Sequence, residues 1–433
     1  MHRKTVLENG VRIVSERLPH LRSVSLGIWV NTGSRDEAPL ENGVSHFIEH
    51  MSFKGTRNRS AFEIAKDLDA IGGLSNAFTG KETTCFYGRV LDRHFPLLAD
   101  ILSDIFVHPT FQSEDMERER EVIFQEINMV EDTPDDYLHM LFQSLFWPDH
   151  PIGRPVLGSA ETVARMDREM IREYIRKFYV PERVLVVAAG NVDHEQMVEY
   201  FRPVFEADSD FSEDNPQRSL PLTSGGVLVR QKALEQVHLC LGSEAPSQVD
   251  ESRFACALMN TILGGNMSSR LFQEIRENQG LAYSVYSFFS PYADAGLFGV
   301  YAATDVRNMN SVLKITQNEI RKLGRGQLTK DDLAAAKENA IGGMYLAAES
   351  ADSQMMRAAK NEFIFGRKVD YEEVVASIER VSVDHVVDMV NRVFGVDQVA
   401  YRAQATQALG IESRAPAAFF GVIFVINRTV EII

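Results

Sequence analysis

The sequence predicts an α+β protein of two homologous domains, each a mostly antiparallel sheet packed with helices. Three observations lead there. Strand-like and helix-like stretches alternate irregularly, with hairpin signals between strands, which disfavours a doubly wound parallel sheet. The 433 residues correspond to about two to four domains at roughly 100–200 residues each. Near the middle, Glu206-Ala-Asp-Ser-Asp-Phe-Ser-Glu-Asp-Asn-Pro216 has the acidic, Ser-bearing composition of a linker, and the two sides of it look alike. Val24-Ser-Leu-Gly-Ile-Trp29 has a counterpart in Val237-His-Leu-Cys-Leu-Gly242, and Gly73-Leu-Ser-Asn-Ala-Phe-Thr79 has one in Gly280-Leu-Ala-Tyr-Ser-Val-Tyr286. The expected domains are 1–215 and 225–433.

The elements follow in order. Glu8-Asn9-Gly10 carries the Asn-Gly hairpin signal between strands at 5–7 and 11–15. A third strand is expected at 23–31. A helix begins near Glu41-Asn42-Gly43 and runs through His50 toward Lys54. Another, 61–71, stops at Gly72-Gly73, where glycine supplies the left-handed residue that ends helices. Alternating sequence predicts strands at 74–78 and 83–91, followed by a helix at 95–106. A long charged helix is expected from Ser113 to about Met129, with Ser113 and Glu114 suited to its positive end. Residues 183–190 read as a buried strand after the break at Pro181.

Composition narrows the function classes. Hydrophobic residues make up 45% and charged residues 24%, which excludes disordered, collagen-like and coiled-coil chains. The net charge of −16, from 45 Lys+Arg against 61 Asp+Glu, argues against nucleic acid as a partner, because binding phosphates needs a basic face. An acidic balance suits a cavity for basic ligands, but solubility alone also accounts for it. Cys85, Cys240 and Cys256 are far apart and form no C-x-x-C, so reduced thiols in a cytoplasmic protein are expected. The basic N-terminus has no apolar stretch behind it, unlike a secretory signal. The longest apolar run, 417–426, is too short to span a bilayer, and no membrane partner is expected.

The strongest local signal is His46-Phe-Ile-Glu49-His50. Imidazoles at i and i+4 stack on one helix face, close enough to hold one ion. Glu49, beside that face, can act as base toward a metal-activated water. A pair of surface histidines with an acidic neighbour is the plain alternative. A hydrolytic zinc site needs a third protein ligand, and the helix at 113–129 offers Glu117, Glu119, Glu121 and Glu126. Glu119 and Glu126 share a face with Val122 and Ile123 but lie about 10 Å apart along the axis. One would ligate and the other support, and spacing does not say which. A solvated face is again the plain alternative.

His46-Phe-Ile-Glu-His-Met-Ser-Phe-Lys-Gly-Thr56 resembles the zinc motif of the inverzincins, the pitrilysin and insulinase family. The likeness is greatest to the β subunit of the mitochondrial processing peptidase and its bacterial relatives. Glu119-Arg-Glu-Val-Ile-Phe-Gln-Glu126 resembles that family's second motif, at the family's interval from His50. The resemblance extends over nearly the whole chain, through Tyr179-Val-Pro-Glu-Arg-Val184 into the second half. It implies one zinc ion per chain held by His46, His50 and Glu126, with Glu49 as general base and Glu119 as a supporting acid behind the ligands. Arg270-Leu-Phe-Gln-Glu-Ile-Arg276-Glu-Asn-Gln-Gly280-Leu-Ala-Tyr283 resembles the family's Arg/Tyr motif. That implies that Arg276 and Tyr283 face the substrate, Tyr283 donating to the oxyanion, a role apt for a phenol.

The same resemblance places Asn76, Ala77 and Phe78 on an edge strand that pairs with an extended peptide, giving backbone bonds with little sequence demand. It also suggests that acidic residues among Asp132, Asp135 and Asp136, Asp136 above all, select a basic residue near the cleavage site. The implied function is zinc-dependent endoproteolysis of short or unfolded peptides. The alternative is a non-catalytic, peptide-binding subunit of the same fold. Relatives of this length pair two chains, the Arg/Tyr motif of one completing the zinc site of the other, so a homodimer or a heterodimer with a related chain is implied. The second half has no H-x-x-E-H.

The remaining sequence adds little. His20, His94, His108, His139, His150, His194, His238 and His385 lack ligand spacing and read as surface or loop residues. Gly264-Gly265 lacks the lysine of a phosphate loop. After Tyr401 the chain departs from the family pattern, and an added strand, a partner contact or an unusual terminus would each account for it.

Overall fold

A computed structural model describes residues 1–206 and 216–395, and the backbone of Gly421–Ile426. The strands are β1 (His2–Val6), β2 (Arg12–Arg17), β3 (Ser23–Val30), β4 (Leu74–Thr79), β5 (Thr84–Leu91), β6 (Val184–Gly190), β7 (Gly226–Gln231), β8 (Val237–Glu244), β9 (Ala282–Pro291), β10 (Gly296–Thr304) and β11 (Gly421–Ile426). The helices of the first half are α1 (Val44–Ser52), α2 (Ala61–Ala70), α3 (Phe95–Val107), α4 (Ser113–Asp132), α5 (Pro134–Phe146), α6 (Ala160–Arg165), α7 (Arg168–Phe178) and α8 (His194–Phe205). Those of the second are α9 (Arg253–Leu263), α10 (Met309–Gly324), α11 (Lys330–Ala347), α12 (Ala351–Phe365), α13 (Tyr371–Glu379) and α14 (Val383–Phe394).

Two compact units result. The first comprises Met1–Met129, Arg154–Ser219 and Tyr345–Lys368. Its sheet has the order β1-β2-β6-β3-β5-β4, antiparallel except for the β2–β6 pair. Alternation along each strand divides its side chains between two faces. Val24, Leu26 and Ile28 of β3, with Val184, Val186 and Ala188 of β6, join Phe47, Ile48, Leu98 and Leu102 in one core. Trp29, with Leu185, Val187 and Ala189, packs on the other face against Met355, Ala358 and Ala359 of α12. With both faces covered, β6 reads as an unbroken apolar run.

The second unit comprises Val130–Gly153, Leu220–Met344 and Val369–Ile433. Its sheet order is β7-β11-β8-β10-β9, with β7–β11 the parallel pair. Read against the first sheet, β7, β11, β8, β10 and β9 take the places of β2, β6, β3, β5 and β4. The duplication expected from sequence is thus present strand for strand, and among the described residues only β1 lacks a counterpart. The closing strand that sequence could not match is β11, which takes the place of β6. The rest of the segment after Tyr401 lies outside the described residues.

The halves 1–215 and 225–433 differ from these units by an exchange. Residues 130–153 belong with the second sheet and residues 345–368 with the first. The physical reason is that each sheet needs a cover for its second face. Leu138, Phe142 and Phe146 of α5 provide it in the second unit, packed with Cys240, Leu297 and Tyr301, as α12 does in the first. Three histidines also depart from expectation. His194 is buried between Ser15 and Thr5, each 2.9 Å from a ring nitrogen. His139 and His238 sit 2.8 Å from the hydroxyls of Tyr286 and Tyr301. Among the described residues no helix is long and apolar enough to cross a membrane.

If α12 is integral to the first unit, truncating its fully buried Met355 leaves a cavity under the sheet. Met355→Ala is expected to cost about 2–5 kcal/mol, read as a lowered midpoint in urea unfolding.

Candidate metal centre

Helix α1 is short, and its start is held from outside. Gly43 has φ +97, and a Cβ there would meet the Leu157 carbonyl oxygen at 2.7 Å, so glycine is required for this entry turn. No side chain of the cap residue satisfies the first N–H groups. Glu37 does so instead: its carboxylate accepts from Gly43 N (2.7 Å), Ser45 N (2.9 Å) and Asn42 Nδ2 (2.9 Å). A carboxylate at the positive end of a helix is favourable, although complete burial pushes the Glu37 pKa upward against those bonds. Val44, Phe47, Ile48 and Met51 are buried in the core, at the i, i+3, i+4, i+7 spacing of one helix face. His46, Glu49 and His50 therefore project from the remaining surface.

Opposite them, Met116 and Ile123 bury α4 against the same core. The buried Arg120 guanidinium ties it to the carbonyls of Val163 and Met166. That leaves Glu119 and Glu126 facing α1. Glu126 Oε2 lies 3.5 Å from His46 Nε2 and 3.5 Å from His50 Nε2. One ligand atom from each of the three falls within 4.8 Å of the others. Ligands at roughly 2.0–2.2 Å around a tetrahedral zinc ion stand about 3.4 Å from one another. The spacing is too long for good hydrogen bonds and right for a shared ion. Among the described residues this is the only such group of His, Cys, Asp or Glu.

The electrostatics agree with that use. Burial, followed by the neighbouring His50, pushes the His46 pKa down to about 3, so its imidazole stays neutral, the form that ligates metals. Glu119 Oε2 is 3.1 Å from His50 Nδ1, an outer contact that can fix which ring nitrogen turns to the ion. Of the two glutamates left open by spacing, the structure sets Glu126 3.5 Å from the Nε2 atoms of both histidines and Glu119 behind the His50 ring. Glu49 is half-buried, and Thr79 Oγ1 donates to its Oε2 at 2.6 Å. Burial raises the Glu49 pKa, and the Thr79 bond partly opposes it.

Other expected site residues are placed differently. β4 pairs with β5 only, leaving its far edge open among the described residues. Asn76 is exposed there, but Ala77 is buried and Phe78 packs edge-on against Trp29 at 5.4 Å. Their side chains serve the sheet, and only backbone and Asn76 remain for a ligand. Arg276, Tyr283 and Asp136 belong to the second unit. Arg276 lies on a π-helical turn, Phe272–Glu277, a feature frequent at functional sites. Its guanidinium carbon stands 4.7 Å from the Phe272 ring centre and 4.6 Å from that of Tyr283. Tyr283 is 76% exposed, so it is no core residue. Asp136 is exposed in the first turn of α5. Sequence reasoning missed Glu37 and the role of Thr79. An acid shortly before a helix that starts on glycine was the available signal for Glu37, whereas nothing local marks Thr79.

A two-unit α+β chain with an H-x-x-E-H helix set against an acidic helix defines the inverted zinc-motif class. The chain belongs to the insulinase family, peptidase family M16. Residues 12–160 match the description “Insulinase (Peptidase family M16)” and residues 165–340 match “Peptidase M16 inactive domain”. A protein of Streptomyces coelicolor called an uncharacterized zinc protease is 42% identical over 400 residues, covering 91% of this chain and 87% of its own. The uncharacterized zinc protease YmxG of Bacillus subtilis is 39% identical over 399 residues, covering 92% and 97%. In fold, the chain is similar to a protease from Helicobacter pylori, with TM-score 0.85, 19% identity and coverage of 98% and 99%. It is equally similar to a peptidase M16 inactive domain from Pseudomonas fluorescens, with TM-score 0.85, 16% identity and 99% coverage of both chains.

The raised Glu49 pKa makes a prediction for the metal-free protein. A folded-state pKa above the unfolded value means that the folded state holds the proton longer, so stability falls as pH rises through that window. Glu49→Gln removes the penalty. It is expected to raise the unfolding midpoint in chelator at about pH 7, with no gain below about pH 4, where the carboxyl is protonated in both states.

Proposed function

We propose that the protein is a zinc-dependent metalloendopeptidase acting on short or unfolded peptides. The observation that carries this reading is the convergence of Glu126 Oε2 on His46 Nε2 and His50 Nε2, 3.5 Å from each, with Glu49 held beside them by Thr79. Two imidazoles and one carboxylate form a ligand set that leaves a fourth position open, as in catalytic zinc sites. Zinc bound there supplies Lewis-acid polarisation of the scissile carbonyl and lowers the pKa of water.

The chain's own groups do the rest. Glu49 takes the proton of the attacking water at its carboxylate and returns it to the leaving amine. Burial favours the protonated form of Glu49 and Thr79 the ionised one, which suits a group that must exist in both. Arg276 and Tyr283 offer a cation and a phenol donor to a substrate carbonyl as charge develops. We place them in a homodimer, or a heterodimer with a related chain, where one chain's pair serves the other's site. The open edge of β4 binds the peptide as an added strand, and Asp136 favours a basic residue near the cleavage point. Cys85, Cys240 and Cys256 are buried free thiols, in keeping with a cytoplasmic setting.

Hydrolysis of a quenched fluorescent Arg-containing peptide, measured alongside zinc content, tests the reading. Wild type should hold one zinc per chain and cleave, and chelator should abolish cleavage. Glu49→Gln should keep its zinc while kcat falls by about 10²- to 10⁴-fold. Zinc without turnover would restore the non-catalytic, peptide-binding reading. An Arg-free peptide cleaved equally fast would dismiss the basic preference.

A further inference from the structure

Lys54 lies just past α1, in a segment held with unusual completeness. Its N–H donates to the Met51 carbonyl at 3.0 Å. Gly55, at φ +131, accepts at its carbonyl from both Thr110 N and Thr110 Oγ1, each at 3.1 Å. Thr56 Oγ1 donates to the buried Asp104 at 2.6 Å. From this fixed point the Lys54 ammonium reaches Glu119, with Nζ 2.6 Å from Oε1. The other oxygen of Glu119 is the one 3.1 Å from His50 Nδ1. One carboxylate thus bridges a cation and an imidazole whose second nitrogen points to Glu126.

We propose that Lys54 is a positioning residue of the metal centre, acting through Glu119 to hold His50 in its ligating orientation and to keep Glu119 out of the ion's open position. This rests on the reading of His46, His50 and Glu126 as the ligand set. Glu119 is only 6% exposed, and a carboxylate so removed from water must be paired and hydrogen-bonded. His50 can offer it one N–H. Without a second partner, Glu119 is free to rotate off the ring or turn toward the ion, and three carboxylates, Glu49, Glu119 and Glu126, would face a single dication with no balancing charge. The ammonium engages the second oxygen and supplies that charge. A plain surface salt bridge predicts otherwise: such a pair contributes little to folding and leaves metal binding untouched.

The test uses the full chain loaded with cobalt(II), whose visible d–d bands report coordination independently of turnover, with affinity read against a chromophoric chelator. Lys54→Met should weaken cobalt affinity by about 10- to 100-fold, the range for outer partners of metal ligands, and change the d–d bands. Lys54→Gln, a second charge-free side chain, should do the same, and Lys54→Arg should restore most of the loss. In a Glu119→Gln background, Lys54→Met should have little further effect, because the two residues act in series. Lys54→Met with wild-type affinity and bands, or with an undiminished loss in the Glu119→Gln background, would overturn the proposal. Wild type that takes up no cobalt would instead remove the ligand set itself, and the inference with it.

Discussion

The first unit holds two imidazoles on one helix against a carboxylate on another, with Glu126 Oε2 3.5 Å from each ring's Nε2. Nothing in the trio itself supplies that proximity in the absence of an ion, so surrounding structure must. α1 is pinned at its start by Glu37 and Gly43, along its length by Phe47, Ile48 and Met51, and beyond its end by Thr56 on Asp104. α4 is pinned by Met116, Ile123 and Arg120. Each anchoring contact is nonlocal or buried, and such contacts hold the His46, His50 and Glu126 side chains in place without an ion. Preorganisation of this kind is what separates a binding site from neighbouring acids and histidines.

Covering the sheets sets a second constraint. A central strand such as β6, apolar along its whole length, cannot leave either face in water. α12 covers the first sheet and α5 covers the second, each arriving from the other half of the chain. The exchange makes the two halves mutually dependent for stability, although each carries a complete sheet of its own. A duplication that kept its covers separate would need none of the chain crossings at residues 130–153 and 345–368.

What was legible in the sequence was what is local. The Asn9-Gly10 hairpin, the helical H-x-x-E-H spacing, the Gly72-Gly73 stop and the apolar run of β6 all signal through neighbours a few residues apart. The antiparallel pairings and the duplication followed from these. The hidden features depend on distant partners. β11 lies between β7 and β8, a placement its apolar run cannot announce. α5 (Pro134–Phe146) drew no structural reading from the sequence, because its apolar residues find their sheet in the other half of the chain. Within the site, Glu37 and Thr79 do their work across gaps of 6 and 30 residues, and Glu119 and Glu126, told apart in the sequence by resemblance and not by spacing, differ in geometry only once α1 is opposite both.

The two units also show how one fold carries unequal chemistry. α9 follows β8 as α1 follows β3, yet Arg-Phe-Ala-Cys-Ala-Leu-Met-Asn-Thr-Ile-Leu offers no histidine or acid. Its buried face is spent wholly on packing, with Cys256, Met259 and Leu263 in the core. What the second unit presents instead is Arg276 stacked between Phe272 and Tyr283 on a π-helical turn. Stacking orients a guanidinium while leaving its N–H edge for hydrogen bonds, and an aromatic ring left 76% exposed contributes little to the core. Packing therefore accounts for α9 but not for Tyr283. A ring so exposed, beside a guanidinium, is what the proposed contact with a substrate carbonyl requires.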